Sequence, residues 1–304
     1  MVWNKLGLVY VPTGKQDWTH SHAFIPTSTM LTAERLRVYA SFLDASKVGR
    51  IGFIDLDASN PLRILGVSEF PALDIGELGA FDDNGVAPLC VLEHGGRILM
   101  YYVGFQLGVK VRYTMFVGLA VSADGGHTFQ RHSRVPVLDR SDRELFVRTA
   151  AHVHHNNDRW RMWYVAGDRW IEVHGKQVPT YNLRYLESPD GVTWGKEGTV
   201  CLDLHGQDEF GFGRPFVIQK DGRYNMWYSI RTISKGYRIG YAESQDGLNW
   251  VRKDSEVGID VSETGWDSQM ICFACVQKTR YGTYLFYNGN NFGETGFGVA
   301  VLKS

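Results

Sequence analysis

Ser244-Gln245-Asp246-Gly247-Leu248-Asn249-Trp250, entered from Ile239-Gly240-Tyr241-Ala242-Glu243, decides how this chain is read. The pattern returns as Leu183-Arg184-Tyr185-Leu186-Glu187 before Ser188-Pro189-Asp190-Gly191-Val192-Thr193-Trp194. A third copy is Val117-Gly118-Leu119-Ala120-Val121 before Ser122-Ala123-Asp124-Gly125-Gly126-His127-Thr128-Phe129. The Asp-Gly pair supplies the positive backbone angle of a tight turn, and the aromatic residue beyond the glycine packs back over it. A strand, a fixed turn and a strand that recur in this way mark one supersecondary unit used repeatedly.

Outward from the turn, a second strand carries an aliphatic residue or Met followed by aromatics. It reads Met100-Tyr101-Tyr102, Met162-Trp163-Tyr164, Met226-Trp227-Tyr228 and Leu285-Phe286-Tyr287, with a weaker copy at Arg37-Val38-Tyr39-Ala40. About 13 or 14 residues earlier, an apolar first strand ends near Pro26, Pro88, Ala151, Pro215 and Ala274. Third strands follow at Ile51-Gly52-Phe53, Val117-Gly118-Leu119, Leu183-Arg184-Tyr185, Ile239-Gly240-Tyr241 and Phe297-Gly298-Val299. Fourth strands are expected near Leu62-Arg63-Ile64-Leu65, Val135-Pro136-Val137-Leu138, Thr199-Val200-Cys201-Leu202 and Arg252-Lys253. The last unit runs out of chain, and Leu6-Gly7-Leu8-Val9-Tyr10 is spare to supply its outer strand. The fold expected is all-β: one domain over residues 1–304, a five-bladed β-propeller of four-stranded antiparallel blades closed by the N-terminal segment.

Composition agrees with many short strands and tight turns: 304 residues with 13% aromatics, 34 glycines and 9 prolines. A net charge of −1 and the lack of a long run of one sign argue against nucleic acid or a membrane as partner. No stretch approaches the ~18 apolar residues of a membrane span, and Met1-Val2-Trp3-Asn4-Lys5 lacks signal-peptide character, so a cytoplasmic location is expected. Cys272 and Cys275 form a lone C-x-x-C, which reads, with Cys90 and Cys201, as buried structural thiols.

The S-x-D-G-x-x-W turns, the M-W-Y strands and the five-unit count resemble the five-bladed propeller superfamily of glycoside hydrolases, which includes families 43, 32, 62, 68 and 130. The resemblance spans nearly the whole chain as architecture. It implies a glycosidase-like hydrolase acting on a glycosidic or activated-sugar linkage, and leaves the reaction open because fold does not fix function. It also allows a divalent metal in the central channel; no other cofactor is implied.

Inner strands of a propeller converge on its channel, so the segments entering the first strands are the place to look for chemistry. They offer His20-Ser21-His22, Phe81-Asp82-Asp83-Asn84-Gly85, Phe146-Val147-Arg148 with His152 beyond, Asp208-Glu209-Phe210 with Arg214 beyond, and Trp266-Asp267. Asp82 or Asp83, Glu209 and Asp267 are candidates for the acid and the base or nucleophile of glycosyl transfer. Arg148 and Arg214 suit a sugar carboxylate or phosphate, Trp266 and Phe210 a sugar ring, and His22 and His152 the channel itself. Each has a structural alternative: Asp82-Asp83-Asn84-Gly85 is also an ordinary turn, Asp267 a backbone cap, and Arg214 a partner for a neighbouring carboxylate. The family pattern is broken as well. His22 stands near the place of the first acid, and Gly213-Arg214-Pro215 replaces Glu-Gly-Pro. Two alternatives to glycoside hydrolysis therefore remain, a non-catalytic carbohydrate-binding propeller and a metal-dependent phosphate-ester or nucleotide hydrolase. The partner expected is a small sugar or sugar phosphate.

Overall fold

Met100, Tyr101 and Tyr102 are all buried, as are Met162, Trp163 and Tyr164, so these strands have packed sheets on both faces. Period-two alternation fails in them for that reason.

The structure, a computed structural model, describes residues 1–156 and 159–303. After β1 (Trp3–Tyr10), an antiparallel meander runs through β2 (Ser21–Met30), β3 (Arg35–Leu43), β4 (Gly49–Asp57) and β5 (Ile64–Val67). The next is β6 (Val86–His94), β7 (Arg97–Leu107), β8 (Tyr113–Ser122) and β9 (Gln130–Arg131). It is followed by β10 (Arg148–Asn156), β11 (Arg159–Val173), β12 (Lys176–Ser188) and β13 (Thr199–Leu202). Then come β14 (Glu209–Lys220), β15 (Arg223–Thr232), β16 (Gly236–Ser244) and β17 (Trp250–Arg252). The last is β18 (Cys272–Lys278), β19 (Thr283–Asn288) and β20 (Phe297–Leu302), whose free edge takes β1 with Trp3 opposite Leu302. The spare N-terminal segment does supply that outer strand. One expected strand is absent: Val135–Leu138 makes only an isolated bridge from Leu138 to Val117, and Pro136 has no N–H for a ladder.

The first strands of the meanders pack in a closed ring, β2 on β6, β6 on β10, β10 on β14, β14 on β18 and β18 on β2. Apolar clusters fill the spaces between successive meanders. Leu36, Val38, Phe286 and Val299, for example, join the last meander to the first. Third-strand glycines make room for this packing: a Cβ at Gly118 would lie 2.4 Å from Tyr102, and one at Gly240 2.6 Å from Tyr228. Each innermost strand also bulges along its length, and Ile25, Ala150 and Phe273 take φ of 56°, 54° and 57° there.

The Ser-x-Asp-Gly turn is tied internally and across meanders. Ser244 Oγ accepts from Gly247 N at 2.9 Å, and Asp246 Oδ1 accepts from Leu248 N and Asn249 N at 2.8 Å each. The backbone N–H of Asn249, its side chain and the N–H of Leu248 hold the Asp246 carboxyl well below the usual range. The glycine carbonyl then faces the preceding meander. Tyr39 Oη donates to Gly126 O at 2.7 Å, Tyr101 Oη to Gly191 O at 2.7 Å, and Trp163 Nε1 to Gly247 O at 2.6 Å.

Tyr101→Phe removes the shorter of two donors to the Gly191 carbonyl, which keeps Trp194 Nε1 at 3.2 Å. It should cost about 0.5–1.5 kcal/mol in denaturant unfolding, and no measurable loss would deny the bond its role. Asp246→Ala should lower Tm at pH 7. A folded pKa depressed below its unfolded value stabilises at neutral pH and loses that contribution in acid, so the gap to the parent protein should begin to narrow below about pH 4 and go on closing as the pH falls toward the folded value.

Candidate functional site

Most of the acids expected in the channel are built into clamps between strands. Tyr102 Oη donates to Asp82 Oδ2 at 2.9 Å, and Arg131 of β9 reaches the same oxygen at 2.8 Å. Tyr287 Oη donates to Asp267 Oδ2 at 2.9 Å, with Lys5 of β1 at 2.7 Å. In the third meander Tyr164 Oη lies 2.7 Å from both oxygens of Glu144, whose carboxylate also meets the Arg148 guanidinium at 2.5 Å. Burial, then the adjacent carboxylate, pushes each of these phenols up, so they remain donors. The fourth meander varies the device. Tyr228 Oη donates to Asp254 at 2.6 Å, and Arg252 bridges Asp254 to Glu209, holding the latter bidentately at 2.7 and 2.9 Å.

These contacts reassign several expected site residues. Asp82 and Asp267 are 1% and 2% exposed and each is bound through Oδ2 to a tyrosine and a cation, so burial keeps both from a ligand although Asp82 Oδ1 has no partner. Arg148 is 3% exposed and spends its remaining donors on Asp139 O and Gly195 O, both at 2.7 Å. Glu209 is held by Arg252 and by His205 N at 2.8 Å. Trp266 lies over Tyr287 at 5.1 Å and fills the space above Gly298, where a Cβ would come within 2.2 Å of its ring. Asp83 is half-buried, with one oxygen on Gly79 N at 2.9 Å.

Arg214 does not pair with a carboxylate among the described residues. It crosses the middle of the ring instead, donating to Pro26 O at 2.7 Å, Thr27 Oγ1 at 2.9 Å, Phe273 O at 3.1 Å and Leu89 O at 3.2 Å. Three other innermost strands thus close on one guanidinium, and the inner-strand bulges turn these carbonyls toward it. His152 lies beyond it toward the ends of the strands, 4.9 Å from His154 ring to ring. His22 stays at the mouth, where the strands begin: its backbone N–H donates to Glu294 O at 3.2 Å, and burial followed by the Lys47 charge lowers its pKa. Among the described residues no group of three or more His, Cys, Asp or Glu is placed to hold a metal ion.

At that mouth stands a collar of aromatic rings around one cation. The Arg231 guanidinium lies 4.3 Å from the Phe210 ring, 4.6 Å from Tyr181 and 5.7 Å from Tyr237. Tyr237 meets Phe292 edge-on at 5.1 Å and Phe273 at 6.2 Å, and Phe105 meets Tyr113 at 6.0 Å. Arg231 Nε is buried with no hydrogen-bond partner, and Nη1 makes a long 3.4 Å contact to Pro179 O. Of the expected ligand contacts, Phe210 and His22 are at this end of the channel. Tyr181, Arg231, Tyr237, Phe273 and Phe292 lie outside the set that the sequence comparison singles out. A signal for two of them exists, since Tyr181 and Tyr237 each stand two residues before the third-strand landmark.

No family model matches the chain. It is 36% identical over 304 residues to the Mycobacterium tuberculosis (strain ATCC 25618 / H37Rv) protein Rv1502, covering 100% of each. Among solved structures it is similar to one described as a glycoside hydrolase (TM-score 0.77, 20% identity, 99% of this chain and 92% of that one). It is also similar to a thermostable family-43 glycoside hydrolase (TM-score 0.69, 18% identity, 92% and 89%). A third is the endo-arabinase from Bacteroides thetaiotaomicron VPI-5482 (TM-score 0.65, 13% identity, 98% and 98%). The chain belongs to the same family as Rv1502, and its fold is that of the propeller glycoside hydrolase superfamily.

Proposed function

We propose that residues 1–304 form a single five-bladed propeller that binds a carbohydrate, or a sugar phosphate, in the aromatic collar at the mouth of its channel. The collar carries this reading. Flat rings suit the apolar faces of a sugar, and a partly desolvated guanidinium among them suits an anionic substituent. Binding rather than family-43 hydrolysis is favoured by the fate of the acids. A Cβ at Gly213, in the acid's place, would lie 3.3 Å from Ser229 Cβ and 3.5 Å from the Phe273 ring, so no long side chain is accommodated without displacement.

A hydrolytic reading rests on the superfamily fold and on two carboxylates left near the rim, Asp83 and Glu294. Glu294 is exposed beside His22 and accepts from Asn291 Nδ2 at 2.8 Å. In that reading one carboxyl protonates the leaving oxygen while the other activates water or attacks carbon.

Calorimetric titration with neutral, uronic and phosphorylated saccharides tests both. Saturable binding without release of reducing ends is expected, and Tyr237→Ala should weaken it by about 1–1.5 kcal/mol, roughly tenfold. Reducing-end release that disappears in Asp83→Asn or Glu294→Gln would establish hydrolysis instead, and the absence of any saccharide binding would end the carbohydrate reading. Asp82→Asn and Asp267→Asn should each cost about 1.5–3 kcal/mol of stability through the lost charged hydrogen bonds while leaving saccharide affinity unchanged.

A further inference from the structure

Beyond Arg214, where the innermost strands run toward their far ends, the ring opens into a cavity of about 480 Å³. Thr27, Ser28, Cys90, His152, Phe216 and Gln277 are among the residues that line it. One residue of its lining, His152, and one set behind it, Arg214, have polar atoms without a structural explanation. His152 is 5% exposed, yet neither Nδ1 nor Nε2 has a hydrogen-bond partner. Arg214 is 1% exposed, its Nε is likewise unpartnered, and no carboxylate among the described residues neutralises it. Carbonyl groups and the Thr27 hydroxyl accept from its other N–H donors but carry no net charge. A buried cation without a counter-charge is costly, as is a buried imidazole that bonds nothing.

We propose that this cavity binds a phosphate group, with the His152 imidazole donating to its oxygens and the Arg214 charge, set behind Thr27, compensating it. Thr27 Oγ1, which accepts from Arg214 Nη2 at 2.9 Å, links the guanidinium to the cavity wall. Ser28 Oγ, bonded to Gln277 Oε1 at 3.2 Å, adds a hydroxyl, and Lys278 adds a cation farther out. Free phosphate and a small phosphate ester share this chemistry. The inference is independent of the carbohydrate reading, because Arg214 separates the cavity from the collar.

Calorimetry on the full chain, at matched ionic strength, would titrate inorganic phosphate, a hexose monophosphate and the free hexose. Saturable binding of inorganic phosphate or of the ester is expected. Tighter binding of the ester that persists in Tyr237→Ala and is lost in His152→Phe would identify the larger ligand of this cavity, and equal affinity would identify the phosphate group alone as what is recognised there. His152→Phe keeps the ring packing against Phe216, 4.7 Å away, and should weaken phosphate at least tenfold. His152→Gln, which retains a donor, should weaken it less and serves if the first variant does not fold. Tyr237→Ala should leave phosphate affinity unchanged while reducing saccharide binding, so the two readings fail separately. Heats no larger than those of matched chloride, or undiminished affinity in both His152 variants, would overturn the proposal.

Discussion

The hydrogen bond from a second-strand aromatic to the glycine carbonyl of the next meander's turn is what the architecture leans on. A sheet packed face to face on another gains area but little angular definition. A directional bond near the outer margin adds that definition, since it fixes how far each sheet rotates past its neighbour. Tyr39, Tyr101 and Trp163 make the bond in turn, each to a carbonyl presented by a glycine in the left-handed region (φ of 81° at Gly126, 74° at Gly191 and 79° at Gly247). The series stops at Trp227, whose buried Nε1 has no partner, because the last meander carries no Ser-x-Asp-Gly turn. There Trp3 of β1 stands edge-on to Trp227 at 6.5 Å, and Trp3 N donates to Gly258 O at 3.0 Å. That joint is held by apolar contact and by bonds of other kinds, including Ile271 N to Tyr237 O at 3.2 Å and Arg238 Nη1 to Gln269 O at 3.0 Å.

What the sequence revealed of the fold was whatever the repeat writes locally. Turn glycines, M-W-Y strands and third-strand glycines are dictated by neighbours a few residues away or by a ring pressed against them, so they recur visibly. The innermost-strand bulges are not written in that way. Ile25, Ala150 and Phe273 adopt positive φ without being glycine or asparagine, and a conformation that costs roughly 1–3 kcal/mol is held there by surrounding contacts.

The site is harder to read for a related reason. Searching equivalent positions for differences, as a mark of function, passes over a likeness. Asp82 and Tyr102, Glu144 and Tyr164, Asp267 and Tyr287 are each separated by 20 residues, and each pair is a hydrogen bond. The acids that look like catalysts are the repeating element. The collar, conversely, draws on strand starts and hairpin ends such as Tyr237 and Phe292, where no shared framework demands a residue type and no pattern advertises one.

Arg214 connects these observations. A propeller channel is an open shaft unless something fills it, and here one guanidinium donates to carbonyl oxygens of strands on several sides. The Gly213-Arg214-Pro215 segment places this crossing, and it divides the mouth of the ring, where the strands begin, from the cavity that His152 lines. On the proposed carbohydrate reading, stacking at the mouth falls to the half-buried Tyr237 and the exposed Phe292, because Tyr181 and Phe210 are buried against Arg231. The same plug leaves a separate chamber beneath it, walled by the continuing strands and supplied with positive potential by the residue that closed it. Arg214 thus keeps the two proposed sites apart, with the aromatic rings at one end of the ring and the His152 cavity at the other.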